Sequence, residues 1–471
     1  MTGNDAATAK KKMEAAFSIE NQIAKVSYDQ VKSRDPQANY HPMTWEQLLK
    51  NYPGVDWNYL LKVSGYPNNG GKVDVGQPEP VHEVEKILAT APLDALKAYM
   101  ELAVISSSAG MLSDNFSDRN FEYTKVAYGV QQQQPRWKRA LSFVQGIMGE
   151  AVGKLYVQKY FPESSKQRMI TLVKNLQDAF AQRIEENTWM TAATKQKALE
   201  KLQAFDIKIG YPDKWQNMDS VFVIDDNKSL IENVKAVQEA AMKYRIAKRW
   251  GKPVDKKEWH MTPQTVNAYY DPTTNSINFP AAILQPPFFD PTVDDAANYG
   301  AIGAVIGHEM SHGFDDQGCQ FDKDGNMKNW WTEEDKKNYD ARTKVLVDWF
   351  NKQEVIPGLY VNGEKTLGEN IGDNGGLNIA FRALENSMKA KPLSDMDGFT
   401  PGQRFFLAWG RVWASNVAPQ FVAYIVNSDV HSPSISRVNA ALPMIDNWYK
   451  AFDIKEGDKL FVPQQSRAHI W

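Results

Sequence analysis

The stretch that decides how this chain is interpreted is Ala301–His312, which reads AIGAVIGHEMSH. Its first seven residues are small or apolar, as expected for a helix that packs tightly against its neighbours. On such a helix His308 and His312 are one turn apart and share a face, so both imidazoles can reach one metal ion. Glu309 is rotated by about 100° from His308, so its carboxylate can lie beside the ion and take a proton from a bound water.

A catalytic zinc has three protein ligands and an open position for water, so the third ligand must come from elsewhere. The segment Gly368–Gly376 is the natural source, because its Glu369 and Asp373 are four residues apart and share a helical face. Glu369 could bind the ion while Asp373 accepts a hydrogen bond from the other ring nitrogen of a zinc-bound histidine. The competing interpretation of the HEMSH motif is two structural histidines with an unrelated glutamate.

Three residues that follow the motif are further candidates for the site. Asp315 or Asp316, one turn past His312, could orient the second histidine in the same way. Cys319 is the competing zinc ligand, but the pattern favours a small buried apolar residue at that position. As the single cysteine of the chain, it also excludes an internal disulfide.

A third cluster, Asp429–Arg437, reads DVHSPSISR and adds a histidine and an arginine. His431 could stabilise the oxyanion that forms when water attacks a peptide carbonyl. Arg437 could hold a substrate carbonyl or carboxylate with its forked donors. Taken alone, His431 would more often be a structural histidine, so its role depends on the rest of the site.

Upstream of residue 206 the sequence is helical in character. One apolar stripe at helical spacing predicts a core-facing helix and consists of Met169, Val173, Leu176, Phe180 and Ile184. A second helix is expected to start after Thr191 as its N-cap residue.

Downstream of Phe205 the character is mixed. Short β-prone runs at Ile207–Tyr211 and Val221–Ile224 precede another helical stretch over residues 231–250. Residues 266–270 and 276–279 predict a hairpin whose second strand ends at Pro280, as an edge strand does. These changes predict a domain boundary near residue 206, with the chemistry beyond it.

Composition excludes several classes of protein. Lys+Arg is 54 and Asp+Glu is 57, and the resulting net charge of −3 gives no electrostatic footprint for nucleic acid and no polybasic membrane patch. No apolar run approaches the roughly 18 residues that a transmembrane helix needs. Residues 1–15 are polar and lack the apolar core of a signal peptide.

Several motifs occur in an order that matches a known family. They are Val266–Tyr270 (VNAYY), Phe279–Phe289 (FPAAILQPPFF), Gly307–Asp316 (GHEMSHGFDD), Gly368–Gly376 (GENIGDNGG) and His431–Arg437 (HSPSISR). The chain resembles the neprilysin family of zinc endopeptidases, which includes the endothelin-converting enzymes and the bacterial oligopeptidases often called PepO. The resemblance covers essentially the whole chain, including Ser33–Pro36 and Pro53–Trp57 in the helical part.

The resemblance implies a mainly α fold with a small β component and two lobes. Residues 1–205 would form a helical lobe, and residues 206–471 would form a thermolysin-like zinc catalytic domain. It implies one zinc per chain, bound by His308, His312 and Glu369, with Glu309 as the base that activates water. By the same resemblance Asp373 is a catalytic residue, the carboxylate behind a ligand that is often described as a proton donor, and His431 and Arg437 contact the transition state and the substrate carbonyl.

The resemblance also implies how a peptide substrate binds. Asn267 and Ala268 match the strand segment that pairs with the substrate backbone, a mode that the predicted hairpin also favours. Four residues fall where the family lines an apolar pocket for the residue after the scissile bond, namely Ile283, Phe288, Val305 and Trp413. Without the resemblance, these four would be read as ordinary core residues.

The chain differs from the family pattern in two places. Family members have more sequence before the point where this chain begins, so part of the helical roof over the cleft is expected to be missing. We therefore expect an open cleft and an exposed apolar patch on the helical half, with some tendency to associate. The C-terminal segment keeps Trp471 but has His469 where an arginine is typical.

Taken together, the sequence predicts a zinc endopeptidase that cuts small to medium peptides on the amino side of hydrophobic residues. The alternatives are a zinc aminopeptidase, for which no site for a free substrate amine is recognisable, and an inactive zinc-binding fragment that only binds peptides. The partners expected are peptide substrates, with no nucleic acid and no transmembrane segment. The resemblance favours a periplasmic or extracellular bacterial enzyme, with a cytoplasmic one as the alternative.

Overall fold

The computed structural model describes residues 3–471, and most of these residues are helical. The helices are α1 (Ala6–Val26), α2 (Gln30–Arg34), α3 (Trp45–Asn51), α4 (Trp57–Val63), α5 (Pro78–Thr90), α6 (Leu93–Ser108), α7 (Asp114–Tyr128), α8 (Arg136–Tyr160), α9 (Glu163–Glu186), α10 (Ala192–Gln203), α11 (Leu230–Arg249), α12 (Asp295–Asn298), α13 (Ala304–His312), α14 (Glu333–Phe350), α15 (Leu367–Ala390), α16 (Pro401–Val412), α17 (Pro419–Ser428), α18 (Ser434–Asn439) and α19 (Asp446–Phe452). The strands are β1 (Pro42–Thr44), β2 (Lys72–Asp74), β3 (Asp206–Gly210), β4 (Tyr269–Asp271), β5 (Ser276–Pro280), β6 (Glu354–Ile356) and β7 (Leu359–Tyr360). The predicted mainly α fold with a small β component is confirmed.

The chain divides into two compact units. The first unit contains the residues up to Gln133 together with Gln216–Asp255, and the second contains Gln134–Trp215 together with Lys256–Trp471. All the candidate site residues lie in the second unit. The domain boundary near residue 206 and the open cleft both stay predictions.

The first unit is helical with a small apolar core. Helix α1 packs against α5 and α6, and a separate cluster is formed by Trp45, Leu48, Tyr52 and Val75. Large apolar side chains on α6 and α7 remain between 60% and 81% exposed, namely Met100, Val104, Tyr123 and Val126. They agree with the apolar surface expected on the helical half, while its continuity and any association stay predictions. The run Val221–Ile224, expected to be β-prone, forms no strand, and its Val223 and Ile224 are exposed.

The second unit holds the main core. The five stripe residues of α9 are fully buried, as the spacing predicts, and Thr191 is the N-cap residue of α10. The helix expected over Ala301–His312 is regular from Ala304 onward, and a π-helical turn, Tyr299–Gly303, precedes it. Such turns are common beside functional sites.

A three-stranded sheet in the order β3-β5-β4 lies in the second unit. The hairpin of β4 and β5 is antiparallel as predicted, but the expectation that the second strand is an edge strand is wrong. Strand β3 pairs in parallel with β5, so β5 is central and its Pro280 is tolerated because it is the last residue of the strand. Strand β4 is therefore an edge strand of this sheet.

No helix within residues 3–471 combines the length and the apolar character that crossing a bilayer requires.

Candidate metal centre

Helices α13 and α15 cross at very short range because both carry glycine at the crossing. A β-carbon on Gly307 would lie 2.9 Å from the backbone of Gly376, and one on Gly376 would lie 2.4 Å from the carbonyl oxygen of Ala304. A β-carbon on Gly372 would lie 2.7 Å from the ring of His308. The small residues of the Gly368–Gly376 segment thus bring the carboxylates of α15 to the histidines of α13.

Three potential metal ligands converge at this crossing. His308, His312 and Glu369 each offer one donor atom, and the three atoms lie within 4.8 Å of one another. The Nε2 atoms of the two histidines are 2.9 Å apart, and Oε2 of Glu369 lies 3.1 Å from Nε2 of His308 and 3.6 Å from Nε2 of His312. The set of two imidazole nitrogens and one carboxylate oxygen is a common one for catalytic zinc.

The other ring nitrogens of the two histidines are held by buried carboxylates. Nδ1 of His308 lies 2.9 Å from Oδ1 of Asp373, and Nδ1 of His312 lies 2.7 Å from Oδ2 of Asp315. A carboxylate accepts a hydrogen bond, which assigns the proton of each neutral imidazole to Nδ1. Both Nε2 atoms then direct a lone pair at each other. The two lone pairs repel, and a cation bound between them would remove this repulsion.

Glu369 supports the same interpretation. Its Oε2 atom is buried and makes no hydrogen bond of acceptable geometry, although three imidazole nitrogens surround it. Burial alone would raise the pKa of this carboxyl, but the neighbouring His312 and His431 outweigh burial and hold the pKa well below its ordinary range. A buried carboxylate oxygen without a hydrogen bond is the state expected of a metal ligand, so the residues present fit a zinc ion.

Glu309 lies beside this group and is not one of its three members. Its side chain is buried on α13, and burial is the main reason why its pKa is raised above the ordinary value for glutamate. A carboxylate with a raised pKa next to a metal site can accept and later release a proton. Glu309 thus follows the candidate ligand His308 directly on α13, and its role as the base stays a prediction.

Arg437 binds the carboxylate behind His308. Its Nε donates to Oδ2 of Asp373 at 2.9 Å and its Nη2 donates to Oδ1 at 2.5 Å, while its guanidinium lies 3.8 Å from the ring centroid of Trp413. Burial would raise the pKa of Asp373, but the charge of Arg437 and the bond with His308 outweigh it and lower the pKa. In this arrangement Arg437 fixes Asp373, and the predicted contact with a substrate carbonyl stays a prediction.

His431 faces the same group from the loop that precedes α18. Its Nε2 lies 3.2 Å from Oε2 of Glu369, and its side chain is 43% exposed. Its Nδ1 lies 2.7 Å from Oδ1 of Asp429, which also accepts a hydrogen bond from the backbone N–H of His431. The sequence predicts no role for Asp429 itself. A carboxylate two residues before a candidate histidine is the pattern that could have indicated this contact.

The predicted substrate-binding residues lie around the core of the second unit. Asn267 is exposed, and Ala268, which is buried, directly precedes the edge strand β4. Ile283 and Val305 are buried in the main core, and Phe288 and Trp413 pack against it partly exposed. Their role in lining a pocket stays a prediction.

Two alternatives from the sequence are resolved in the geometry. Of the two aspartates that the sequence offers, Asp315 has its Oδ2 at 2.7 Å from Nδ1 of His312. Cys319 is buried, does not belong to the three-ligand group, and lies with its Sγ 3.7 Å from the carbonyl oxygen of Asp316. Burial raises the pKa of its thiol, so a thiolate ligand is disfavoured there.

Comparisons with known proteins identify the family of the chain. Two sequence models described as peptidase family M13 match the chain, one over residues 1–212 and the other over residues 267–468. The neutral endopeptidase of Lactobacillus helveticus is 34% identical over 471 residues, covering 100% of this chain and 71% of the relative. Human endothelin-converting enzyme 1 is 31% identical, covering 100% of this chain and 62% of the relative.

A solved structure with the same fold is also known. The crystal structure of the Mycobacterium tuberculosis zinc metalloprotease Zmp1 in complex with an inhibitor superposes with a TM-score of 0.96 at 40% identity. The match covers 100% of this chain and 72% of that chain, so this chain spans only part of the length of its relatives. The family models, the curated relatives and this structure together show that the chain belongs to peptidase family M13, the neprilysin-like zinc endopeptidases.

Proposed function

We propose that this chain is a zinc-dependent endopeptidase that hydrolyses small to medium peptides on the amino side of hydrophobic residues. The single observation that carries the proposal is the convergence of Nε2 of His308, Nε2 of His312 and Oε2 of Glu369 within 4.8 Å. These three atoms would bind one zinc ion per chain, because each offers a lone pair that is not used in a hydrogen bond of good geometry to a donor.

Zinc, when bound, polarises a carbonyl and lowers the pKa of water, which supplies a nucleophile at neutral pH. Glu309 accepts the proton of the attacking water and delivers it to the amine that leaves. His431, whose Nδ1 donates to Asp429 at 2.7 Å, acts in its doubly protonated, cationic form and donates from Nε2 to the oxygen that becomes negative during attack. Asp373 and Arg437 keep the ring of His308 in the orientation that the ligand needs.

Substrate recognition is proposed to use an edge strand and an apolar pocket. A peptide can add as a strand beside β4, with Asn267 and Ala268 at the start of the pairing. Ile283, Phe288, Val305 and Trp413 would surround the side chain after the scissile bond. Burial of an apolar side chain there is worth about 1.5–3 kcal/mol, which favours hydrophobic residues at that position.

The experiment is hydrolysis of an internally quenched peptide with a blocked N-terminus and a single apolar residue at its centre. We expect cleavage before the apolar residue, loss of cleavage with a chelator and recovery with zinc. Metal analysis should give about one zinc per wild-type chain and little zinc in Glu369→Ala, whereas Glu385→Ala, a half-exposed position on the same helix, should keep its zinc. Full zinc content in Glu369→Ala would remove Glu369 from the ligand set.

A second candidate function is a zinc-binding chain that binds peptides without cutting them. The chain spans 71% of one relative and 62% of another. Zinc content does not separate the two candidates, but peptide turnover does. A zinc aminopeptidase would cut only a peptide with a free N-terminus. Cleavage of the blocked peptide would therefore exclude that class, and cleavage of only the unblocked peptide would support it.

A further inference from the structure

Lys201 on α10 is a buried lysine whose ammonium group contacts the segment that follows the metal-binding helix. Its side chain is 1% exposed, and Nζ donates to the carbonyl oxygens of Gly318 and Phe321, both at 2.7 Å. Three aromatic rings surround Nζ at 5.6 to 5.9 Å from their centroids, namely Phe314, Trp330 and Tyr270. Burial lowers the pKa of Lys201 to about 7, and the amine has two N–H donors for these carbonyls in either protonation state.

The segment that Lys201 holds is also the one that positions a metal-site carboxylate. The backbone N–H groups of Gln317 and Gly318 donate to Oδ1 of Asp315 at 2.9 and 2.7 Å. The other oxygen of Asp315 lies 2.7 Å from Nδ1 of His312. A continuous set of hydrogen bonds therefore connects Lys201 to the imidazole of His312 through Gly318 and Asp315.

Close packing restricts movement of the residues in this set of hydrogen bonds. A β-carbon on Gly318 would lie 1.8 Å from the carbonyl oxygen of His312, so the segment folds directly back on the end of α13. Asp315 itself is only 4% exposed, so its orientation depends on the backbone donors and not on solvent. A shift of Gly318 is consequently transmitted to the carboxylate that fixes the ring of His312.

We propose that Lys201 is a positioning residue for the metal centre: by holding the carbonyl oxygens of Gly318 and Phe321, it keeps Asp315 aligned with His312 and so strengthens zinc binding. The inference rests on the proposed function insofar as His312 is taken as a zinc ligand. Lys201 contacts neither the ion nor the substrate in this role, so its effect is expected on metal affinity.

The test is the zinc dissociation constant of the full chain, measured by competition with a chelator, for the wild type, Lys201→Met and Lys208→Met. Lys208 is the matched control, because it is also buried and its Nζ donates to a backbone carbonyl, that of Glu258, at 3.0 Å. We expect both substitutions to lower thermal stability. Only Lys201→Met should weaken zinc binding, by roughly 10- to 100-fold, the range typical of residues that orient metal ligands.

A double-mutant cycle with Asp315→Asn separates positioning from general destabilisation. If Lys201 acts through Asp315, Lys201→Met should change zinc affinity by less than about threefold in the Asp315→Asn background. An unchanged dissociation constant in Lys201→Met, or an equal loss in both backgrounds, would overturn the proposal. Lys201→Gln replaces Lys201→Met in the same cycle if the methionine variant does not fold. A wild-type chain that binds no zinc would instead overturn the proposed function.

Discussion

His431 differs from the two histidines of α13 in its exposure and in its partners. Both nitrogens of His308 and His312 lie against buried groups, whereas His431 is 43% exposed and approaches Glu369 from a loop. Asp429 holds its Nδ1, which leaves Nε2 as the atom that faces the site. This geometry suits a residue that meets the substrate oxygen during the reaction and does not bind the metal in the resting state.

We predict that His431→Ala lowers kcat for peptide hydrolysis by about 10²- to 10³-fold while zinc content stays at the wild-type level, because one oxyanion donor is lost. Steady-state kinetics with metal analysis of the same samples is the measurement. His82→Ala is the control, since His82 is an exposed histidine paired with Glu85 at 3.1 Å in the other unit. A kcat near that of the control would remove the assigned role from His431.

For single residues, the sequence could predict the candidate ligands and the aspartates that contact the two histidines, but not the other supporting residues. The four-residue spacings of His308 with His312 and of Glu369 with Asp373 are local helical geometry, so they are readable from the sequence. The roles of Asp429 and Lys201 depend on which backbone atoms the fold brings to them. Lys201 is separated from Gly318 by 117 residues, and no local pattern marks such a contact.

Among the elements, helices α10 and α14 have N-cap residues that donate hydrogen bonds to the same carboxylate. Asp335 is fully buried and accepts hydrogen bonds from Thr191, the N-cap residue of α10, and from Thr332, the N-cap residue of α14. A third hydroxyl, that of Thr194, donates to Oδ2 of Asp335 at 2.5 Å. Burial acts to raise the pKa of Asp335, but the hydrogen bonds from these threonines outweigh it and lower the pKa.

We predict that Asp335→Asn lowers the free energy of unfolding by about 2 kcal/mol at pH 7, because charged hydrogen bonds in a buried site are lost. Since the pKa of Asp335 is lower in the folded state, its contribution is present above the ordinary aspartate pKa of about 3.9 and is lost as pH falls through the folded-state pKa. The difference between wild type and variant should therefore narrow as pH falls from 7 towards 3.

Urea unfolding of the zinc-free proteins at several pH values is the measurement. Asp348→Asn is the control on the same helix, because Asp348 is an exposed residue paired with Lys344 at 2.7 Å and should contribute about 0–1 kcal/mol. A difference between wild type and Asp335→Asn that does not change with pH would contradict the account of Asp335.

The helices and strands show where a sequence pattern is sufficient to predict burial or strand pairing. The stripe of α9 predicted a buried face because a helix repeats every 3.6 residues, and all five side chains are buried. The edge position of β5 was predicted wrongly because its second neighbour, β3, lies about 70 residues earlier, beyond any local hairpin signal. The run Val221–Ile224 had β propensity without a strand to pair with, and propensity alone does not form a strand.

For the molecule as a whole, the crossing of α13 and α15 links the fold to the proposed chemistry. The glycines of the Gly368–Gly376 segment let two helices approach until Glu369 and Asp373 reach the histidines of α13. The site is thus built on two helices in the main core of the second unit, where its groups are rigidly held. The motifs are visible in the sequence, but the distance between the two helices is not. That distance depends on which glycines face each other.

The proposed chemistry depends on Glu309 acting as the base beside a zinc ion held by His308, His312 and Glu369. This role is tested by hydrolysis of the blocked, internally quenched peptide by Glu309→Gln, with zinc content measured on the same samples and Glu385→Gln as the half-exposed control on α15. We predict that Glu309→Gln keeps about one zinc per chain and loses turnover by more than about 10²-fold, because only the proton acceptor is removed. Turnover in Glu309→Gln close to that of the wild type, at full zinc content, would contradict it.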